Sequence, residues 1–167
     1  GRLSKQKNLN LLLSAINNNN IGIDIVGDGE LRNSLDEIIQ KSNIDINFLG
    51  RLPNDQMPKV YNSYPIYVLC SHYEGNPKTL LEAMACGLPV IGTNVPGIRE
   101  IISDGENGIL VPNNEPPLLL QSINTLLMNK SMQKKLGDNA RRTIIDNNSM
   151  KNAIVREYDT YNKLINL

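Results

Sequence analysis

The hydrophobic pattern of this chain alternates between short apolar runs and segments whose apolar residues recur every three or four positions. Short apolar runs are typical of buried strands, and the longer period is typical of helices that pack by one face. The alternation predicts an α/β fold, a mostly parallel sheet with helices on both faces. The predicted strands are 21–26, 46–49, 66–70, 89–92 and 109–111, and the predicted helices are 8–17, 31–41, 55–62, 79–86 and 96–102.

The last third of the chain keeps the helical period without apolar runs between its segments. It predicts three successive helices, at 117–129, 131–146 and 149–166, which would close one side of the domain. The last of these helices carries an apolar stripe that needs a partner surface. The stripe consists of Met150, Ile154, Tyr158, Tyr161 and Ile165.

Composition narrows the classes of function. A chain of 167 residues fits one domain with one core. The formal net charge is 0, so no basic surface is expected to attract nucleic acid by counterion release. No stretch approaches the roughly 18 apolar residues of a membrane span, and no targeting pattern is present, so we expect a soluble cytoplasmic chain. Cys70 and Cys86 are predicted to be buried free thiols, which suits that reducing compartment.

Two glutamates flank the predicted turn between strand 66–70 and helix 79–86. Glu74 and Glu82 are separated by seven residues. Ligands bind at such turns because a helix N-terminus presents unpaired N–H groups and a partial positive charge. The position predicts a site for a phosphorylated ligand. Two structural alternatives stay open: Thr79 and Glu82 fit a capping box, and Glu74 alone fits an exposed loop acid.

The spacing of these glutamates resembles the E-x7-E signature of retaining glycosyltransferases of family 4, also called group 1, which have the GT-B fold. Residues 1–3 followed by Lys7, and then 26–30, 48–52 and 104–112, also resemble this family in its order. The resemblance covers nearly the whole chain. It implies one half of a GT-B fold, Rossmann-like, with extra C-terminal helices. Residues 1–167 would form a single domain that binds the nucleotide-sugar donor, and a missing N-terminal domain would hold the acceptor.

The resemblance also implies an activity for the full-length protein. It would be an enzyme that transfers a sugar, with retention, from a nucleoside-diphosphate sugar to an acceptor glycan or lipid-linked sugar. A UDP-sugar is the favoured donor, and glycan or polysaccharide biosynthesis is the expected setting. The full-length protein is expected in the cytoplasm, with peripheral association at the inner face of the membrane, whereas the isolated domain is expected to be inactive.

Four residues receive roles from the family motifs. Arg2 and Lys7 would contact the donor diphosphate, Glu74 the sugar near its anomeric carbon, and Glu82 the ribose hydroxyls. Cations suit the diphosphate because the leaving group gains charge as the glycosidic bond breaks. A carboxylate suits ribose because it only accepts hydrogen bonds. The alternative for Arg2 and Lys7 is an exposed position without a partner.

The remaining donor contacts implied by the family lie on turns. Gly27 and Gly29 are expected to let the backbone approach the donor closely. Arg51 and Leu52 would line the nucleobase, and residues 75–80 would contact the sugar and the distal phosphate. Ordinary connecting turns are the alternative. The residues are Gly27, Gly29, Arg51, Leu52, Gly75, Asn76, Pro77, Lys78, Thr79 and Leu80.

No metal and no cofactor is expected. Asp28–Glu30 and Asp104–Glu106 superficially mimic a D-x-D metal motif, but both fit turns. Arg2, Lys7 and the helix dipole would offset the diphosphate charge without a metal ion. The lone histidine, His72, is interpreted as a polar surface residue.

The sequence also bears on other classes of function. The segment from Gly27 lacks the third glycine of a dinucleotide fingerprint, since Arg32 stands there, which argues against a nicotinamide enzyme. Two acids around a sugar also fit a glycosidase, but these acids lie beside a helix N-terminus that favours an anionic leaving group. A non-catalytic nucleotide-sugar-binding module and a GT-B epimerase or phosphorylase remain the alternatives.

Overall fold

The computed structural model of the protein describes residues 1–148. Every paired strand in that part runs parallel to its neighbour, which confirms the predicted class. The predicted helix 149–166 and its apolar stripe lie outside the described residues. The strands are β1 Ile23–Val26, β2 Ile46–Gly50, β3 Tyr67–Leu69, β4 Val90–Thr93 and β5 Ile109–Val111.

Helices cover both faces of the strands. They are α1 Leu9–Ile16, α2 Arg32–Gln40, α3 Met57–Tyr61, α4 Lys78–Ala85, α5 Pro116–Met128 and α6 Lys130–Thr143, with 3-10 turns at Lys5–Lys7 and Asn54–Gln56 and a π-helical turn at Ile144–Asn148. The buried side chains of α1 and α5 pack with Ile91, whereas those of α4 pack with Val90. Because successive residues of a strand point to opposite faces, one core lies on each side of β4. Among residues 1–148, no helix is long and apolar enough to cross a bilayer.

The strands fall into two groups, β1–β2 and β3–β4–β5. An apolar groove of about 240 Å³ lies between the groups, lined by residues 21–26 on one side and 65–68 on the other. Leu12, Ile123 and Leu127 also line this groove. At the carboxyl end of β1, the amino group of Gly1 donates a hydrogen bond to the carbonyl of Val26.

The predicted helix at 96–102 is wrong. Residues 96–101 form consecutive turns, although Ile98 and Ile102 are buried at helical spacing. Gly97 has a φ of 80°, in the left-handed region, so the backbone leaves the helical path there. A Cβ at Gly97 would lie 2.0 Å from the carbonyl oxygen of Glu74. Glycine therefore lets these turns pack directly against the loop that carries Glu74.

Candidate functional site

A pocket of about 540 Å³, with several charged side chains in its lining, lies at the carboxyl end of β1 and the start of α4. We call it the carboxyl-end pocket. Seven of the predicted site residues line it, and they come from four separate segments of the chain. They are Arg2, Gly27, Arg51, Leu52, Lys78, Thr79 and Glu82; the others are Gly1, Val26, Asp28, Asn54 and Met57.

Gly27 and Gly29 let residues 1–3 cross this end of β1. A Cβ at Gly27 would lie 1.6 Å from the carbonyl oxygen of Gly1, and one at Gly29 would lie 2.4 Å from that of Leu3. The Leu3 amide donates to the Asp28 carbonyl at 3.0 Å, which fixes the crossing. The close approach expected at these glycines is thus made by the protein's own backbone, and it places Arg2 at the pocket.

The cationic side chains of the pocket are only loosely held. Arg2 is 74% exposed and lies 3.7 Å from Glu30, and Arg51 is 81% exposed and lies 4.0 Å from Asp28. Exposed pairs at such distances contribute about 0–1 kcal/mol. With Lys78 at the start of α4, the pocket therefore offers three cations that can turn toward an anion at little cost.

The capping-box alternative for Thr79 and Glu82 is wrong. Helix α4 begins one residue earlier, at Lys78, with Pro77 as its N-cap. The Pro77 carbonyl accepts from the amides of Leu80 and Leu81 at 2.9 and 3.1 Å, so Thr79 already lies inside the helix. The Thr79 hydroxyl instead accepts from the Tyr67 hydroxyl at 2.7 Å.

Glu82 turns toward the pocket rather than toward the helix start. Its Oε2 accepts a hydrogen bond from the Tyr61 hydroxyl at 3.0 Å. The rings of Tyr61 and Tyr67 pack edge to face, with centroids 5.9 Å apart. Burial raises the pKa of both tyrosines far above the ordinary value, so both hydroxyls stay neutral donors.

Glu74 is not an exposed loop acid, which was the structural alternative for this residue. Its side chain is only 6% exposed, and Oε1 lies 2.6 Å from the Lys7 Nζ, which is itself 21% exposed. The Ser71 hydroxyl donates to the same oxygen at 2.5 Å, and the Thr93 hydroxyl donates to the Ser71 carbonyl at 2.6 Å. This network fixes Glu74 beside Lys7, outside the lining of the carboxyl-end pocket.

Lys7 reaches Glu74 because the turn at residues 5–7 docks on the loop after β3. The Gln6 carbonyl accepts from the His72 amide at 2.8 Å, and the Gln6 side chain donates to the Tyr73 carbonyl at 2.9 Å. The predicted basic pair is therefore divided: Lys7 is engaged with Glu74, while Arg2 faces solvent. A smaller cavity of about 80 Å³ is lined by both residues.

The rest of the predicted cradle is only partly assembled. Gly75 and Asn76 are exposed, and Pro77 is buried. Leu80 is 0% exposed, and its amide is used by Pro77, so this residue serves the core of the domain. Within the described residues, the carboxyl-end pocket has none of these four in its lining, nor Gly29.

The acidic turns have structural roles. Asp28 Oδ1 accepts from the Gly29 amide and Asp104 Oδ1 from the Leu110 amide, each at 2.8 Å, as the sequence predicted for turns. Among residues 1–148, no three His, Cys, Asp or Glu side chains are grouped as metal ligands. Cys70 and Cys86 are free thiols; Cys70 is buried as predicted, whereas Cys86 at the end of α4 is only half-buried.

Sequence reasoning missed the residues that hold the two glutamates, namely Tyr61, Ser71 and Thr93. Tyr61 is the one fully buried residue of α3, and a buried tyrosine usually finds a hydrogen-bond partner for its hydroxyl. That rule could have directed attention to Tyr61. The partner itself lies 21 residues away, so no local pattern identifies it.

Fold and pocket together define a Rossmann-like α/β domain with a pocket, lined in part by charged residues, where its parallel strands end. The chain belongs to the family described as Glycosyl transferases group 1, whose sequence profile matches residues 1–143. This finding confirms the resemblance that the sequence motifs carry.

Two relatives illustrate the match. An uncharacterised glycosyltransferase of Methanocaldococcus jannaschii is 34% identical over 142 residues, which are 84% of this chain and 40% of that protein. The capsular polysaccharide biosynthesis glycosyltransferase CapM of Staphylococcus aureus is 28% identical over 156 residues, 86% of this chain and 40% of that protein. The chain therefore spans about 40% of the length of these relatives.

Solved structures show the same fold. Sucrose-phosphate synthase from Thermosynechococcus elongatus has a TM-score of 0.91 and 24% identity, with 99% of this chain and 44% of that chain covered. Anabaena HepE in complex with UDP-glucose has a TM-score of 0.86 and 22% identity over 96% of this chain and 47% of that chain. The C-terminal domain of LpcC, a group 1 glycosyl transferase of Francisella tularensis, has a TM-score of 0.79 and 23% identity over 90% and 84%. The fold is that of a C-terminal GT-B domain.

Proposed function

We propose that this chain is the donor-binding domain of a retaining glycosyltransferase that uses a nucleoside-diphosphate sugar, a UDP-sugar by preference. One observation carries the proposal: a single pocket combines Glu82 with Arg2, Arg51 and Lys78 at the start of α4. An acceptor-only carboxylate next to cations and a helix N-terminus suits a ligand that joins hydroxyls to phosphates. HepE, which has the same fold, is solved with UDP-glucose.

We assign each part of the donor to a part of the pocket. Glu82 accepts hydrogen bonds from the ribose hydroxyls, and Arg2 and Lys78 turn toward the diphosphate. Arg51 and Leu52, at the carboxyl end of β2, line the nucleobase. Because the cations are exposed, their charge is available when the leaving group gains negative charge.

In this proposal the Lys7–Glu74 pair lies next to the glycosidic bond that breaks. Glu74 contacts the sugar and stabilises positive charge that develops at the anomeric carbon. Lys7 lies 2.6 Å from it and helps to offset the diphosphate charge, so the pair presents both signs to a bond that breaks into an oxocarbenium-like sugar and an anion. No metal or cofactor is required by this scheme.

We further propose that the acceptor is bound elsewhere in the full-length protein. The acceptor is a glycan or a lipid-linked sugar, and the relative CapM, a capsular polysaccharide biosynthesis glycosyltransferase, supports the glycan. In this proposal a second, N-terminal domain binds that acceptor, and the protein acts in the cytoplasm at the inner face of the membrane. The chain described here binds the donor and does not turn it over alone.

Nucleotide binding tests the proposal. Melting temperatures of residues 1–167 are measured with UDP, GDP, ADP, CDP and NAD, each with and without magnesium. A ligand at about 100 times its Kd stabilises by roughly 2.7 kcal/mol. That free energy raises the melting temperature of a domain of this size by about 5–10 °C.

Matched variants locate the binding. Glu82→Gln and Arg2→Ala should each reduce the shift, whereas Glu106→Gln and Lys134→Ala, on exposed surface away from the pocket, should keep it at full size. A shift with one nucleoside diphosphate, independent of magnesium, supports the proposal. A shift with NAD alone, or no shift with any nucleotide, contradicts it.

A further inference from the structure

We propose that Tyr61 is a positioning residue for Glu82, and that its hydroxyl makes the pocket selective for ligands with free ribose hydroxyls. The inference rests on the proposed function, because it assigns the ribose to Glu82. It goes further by naming the residue that holds this carboxylate ready. Tyr61 does not line the carboxyl-end pocket and acts only through Glu82.

The hydroxyl of Tyr61 is a fixed point in the fold. The residue ends α3, and its side chain is buried in the core formed with α4. Its ring packs against Tyr67 with an angle of 77° between the ring planes. Met57, one turn earlier on α3, lines the pocket itself, so α3 connects the pocket wall to the tyrosine behind it.

Glu82 gains most from such a fixed partner. A glutamate has three side-chain torsions, and ordering them on ligand binding costs conformational entropy. The Tyr61 bond to Oε2 fixes the carboxylate before the ligand arrives. Since a carboxylate can accept about four hydrogen bonds, this one leaves capacity for two ribose hydroxyls. Preorganisation of this kind raises affinity without adding a ligand contact.

The direction of the Tyr61–Glu82 hydrogen bond is also fixed. Burial, the neighbouring Tyr67 and the bond to Glu82 all raise the pKa of Tyr61 far above its ordinary value. The hydroxyl therefore remains a donor throughout the pH range in which glycosyl transfer is measured. Glu82 can serve only as the acceptor in this pair, which is the role that ribose hydroxyls need.

The chain offers a matched control in Tyr64. Its hydroxyl also donates to a carboxylate, that of Asp24, but this pair borders the apolar groove instead of the carboxyl-end pocket. Replacing either tyrosine by phenylalanine removes one hydroxyl and keeps the ring. The Tyr64 variant therefore shows whether losing a tyrosine–carboxylate bond elsewhere in the domain also changes nucleotide affinity.

Binding of UDP and 2′,3′-dideoxy-UDP by calorimetry tests the proposal. Tyr61→Phe should weaken UDP binding roughly fivefold to tenfold, the scale expected when one glutamate side chain must be ordered on binding. It should change dideoxy-UDP binding less than about twofold, because that ligand lacks the hydroxyls that Glu82 accepts from. Tyr64→Phe should leave both affinities unchanged. In a Glu82→Ala background, Tyr61→Phe should no longer affect UDP binding.

Two outcomes overturn the proposal while leaving the proposed function intact. If Tyr61→Phe weakens the affinity for UDP and for dideoxy-UDP equally, the tyrosine only supports the fold. Unchanged UDP binding means that Glu82 needs no partner. If the unaltered chain binds no nucleoside diphosphate, the proposed function fails, and the role of Tyr61 fails with it.

Discussion

Replacing Lys7 by methionine removes one partner from a nearly buried ion pair. At the 2.6 Å separation of Lys7 and Glu74, an effective dielectric constant of about 20 gives an attraction of roughly 6 kcal/mol. Desolvation of the two groups offsets most of this, so the net contribution of the pair is small. The cost of breaking it is larger, because the Glu74 carboxylate remains buried without its cation.

The magnitude follows from burial. Removing one partner of a fully buried pair costs about 3–5 kcal/mol. Lys7 is 21% exposed, and Ser71 still donates to Glu74, so we expect Lys7→Met to lower the free energy of unfolding by about 2 kcal/mol. Glu74→Gln should cost about 1 kcal/mol, because the longer lysine side chain can turn toward water. The double variant should be less destabilised than the sum of the two.

Urea unfolding followed by circular dichroism gives these free energies, provided that the slope with denaturant stays constant. Lys134→Ala is the control, since Lys134 forms an exposed pair with Asp138 at the same 2.6 Å distance. It should change stability by less than about 0.5 kcal/mol. Additive effects of the two single variants, within about 0.3–0.5 kcal/mol, would refute the argument that the pair acts as a unit.

Two further predictions concern glycine and cysteine. Gly97→Ala should destabilise by more than about 2 kcal/mol and Gly105→Ala by only about 1 kcal/mol. Both glycines have positive φ, 80° and 73°, but a Cβ at Gly97 would lie 2.0 Å from the Glu74 carbonyl oxygen, whereas nothing lies within 4 Å of one at Gly105. Similar losses in urea unfolding would show that the contact does not matter. Burial raises the pKa of Cys70 from 9.0 to about 12, so the folded chain keeps a proton that the unfolded chain loses, and stability falls as the pH rises from about 9 toward 12. Between pH 8 and 10, Cys70→Ala should lose about 1.4 kcal/mol less than the unaltered chain, and equal losses would contradict this.

The sequence predicts the fold well wherever hydrophobic period and burial agree. Helix α1 buries five apolar residues and strand β4 is buried along its whole length, and both lie where the pattern places them. At 96–102 the hydrophobic period predicts a helix that does not form. The structure has turns at 96–101, and Ile98 and Ile102 are nevertheless buried. Gly97 holds those turns against the loop of Glu74, a contact between segments that no local pattern contains.

The candidate site shows the same division. The motifs indicate Glu82, Arg2 and Lys78, and the fold brings them to one pocket. The partners of the two glutamates are set by tertiary contacts: Lys7 is 67 residues from Glu74. A capping box is a pattern of four residues, and here the carbonyl of Pro77, just before that pattern, starts the helix early. The sequence thus indicates which residues have the chemistry of the site, whereas their hydrogen-bond and ion-pair partners are known only from the fold.

The apolar groove between β1 and β3 has a consequence for the chain when it is handled at high concentration. β1 is paired only with β2, and β3 only with β4, among residues 1–148, so each presents one open edge to the groove. Open strand edges beside apolar walls are templates for pairing with another chain. Expression yield and monodispersity of this chain should therefore depend on what fills the groove, independently of whether the nucleotide pocket is intact.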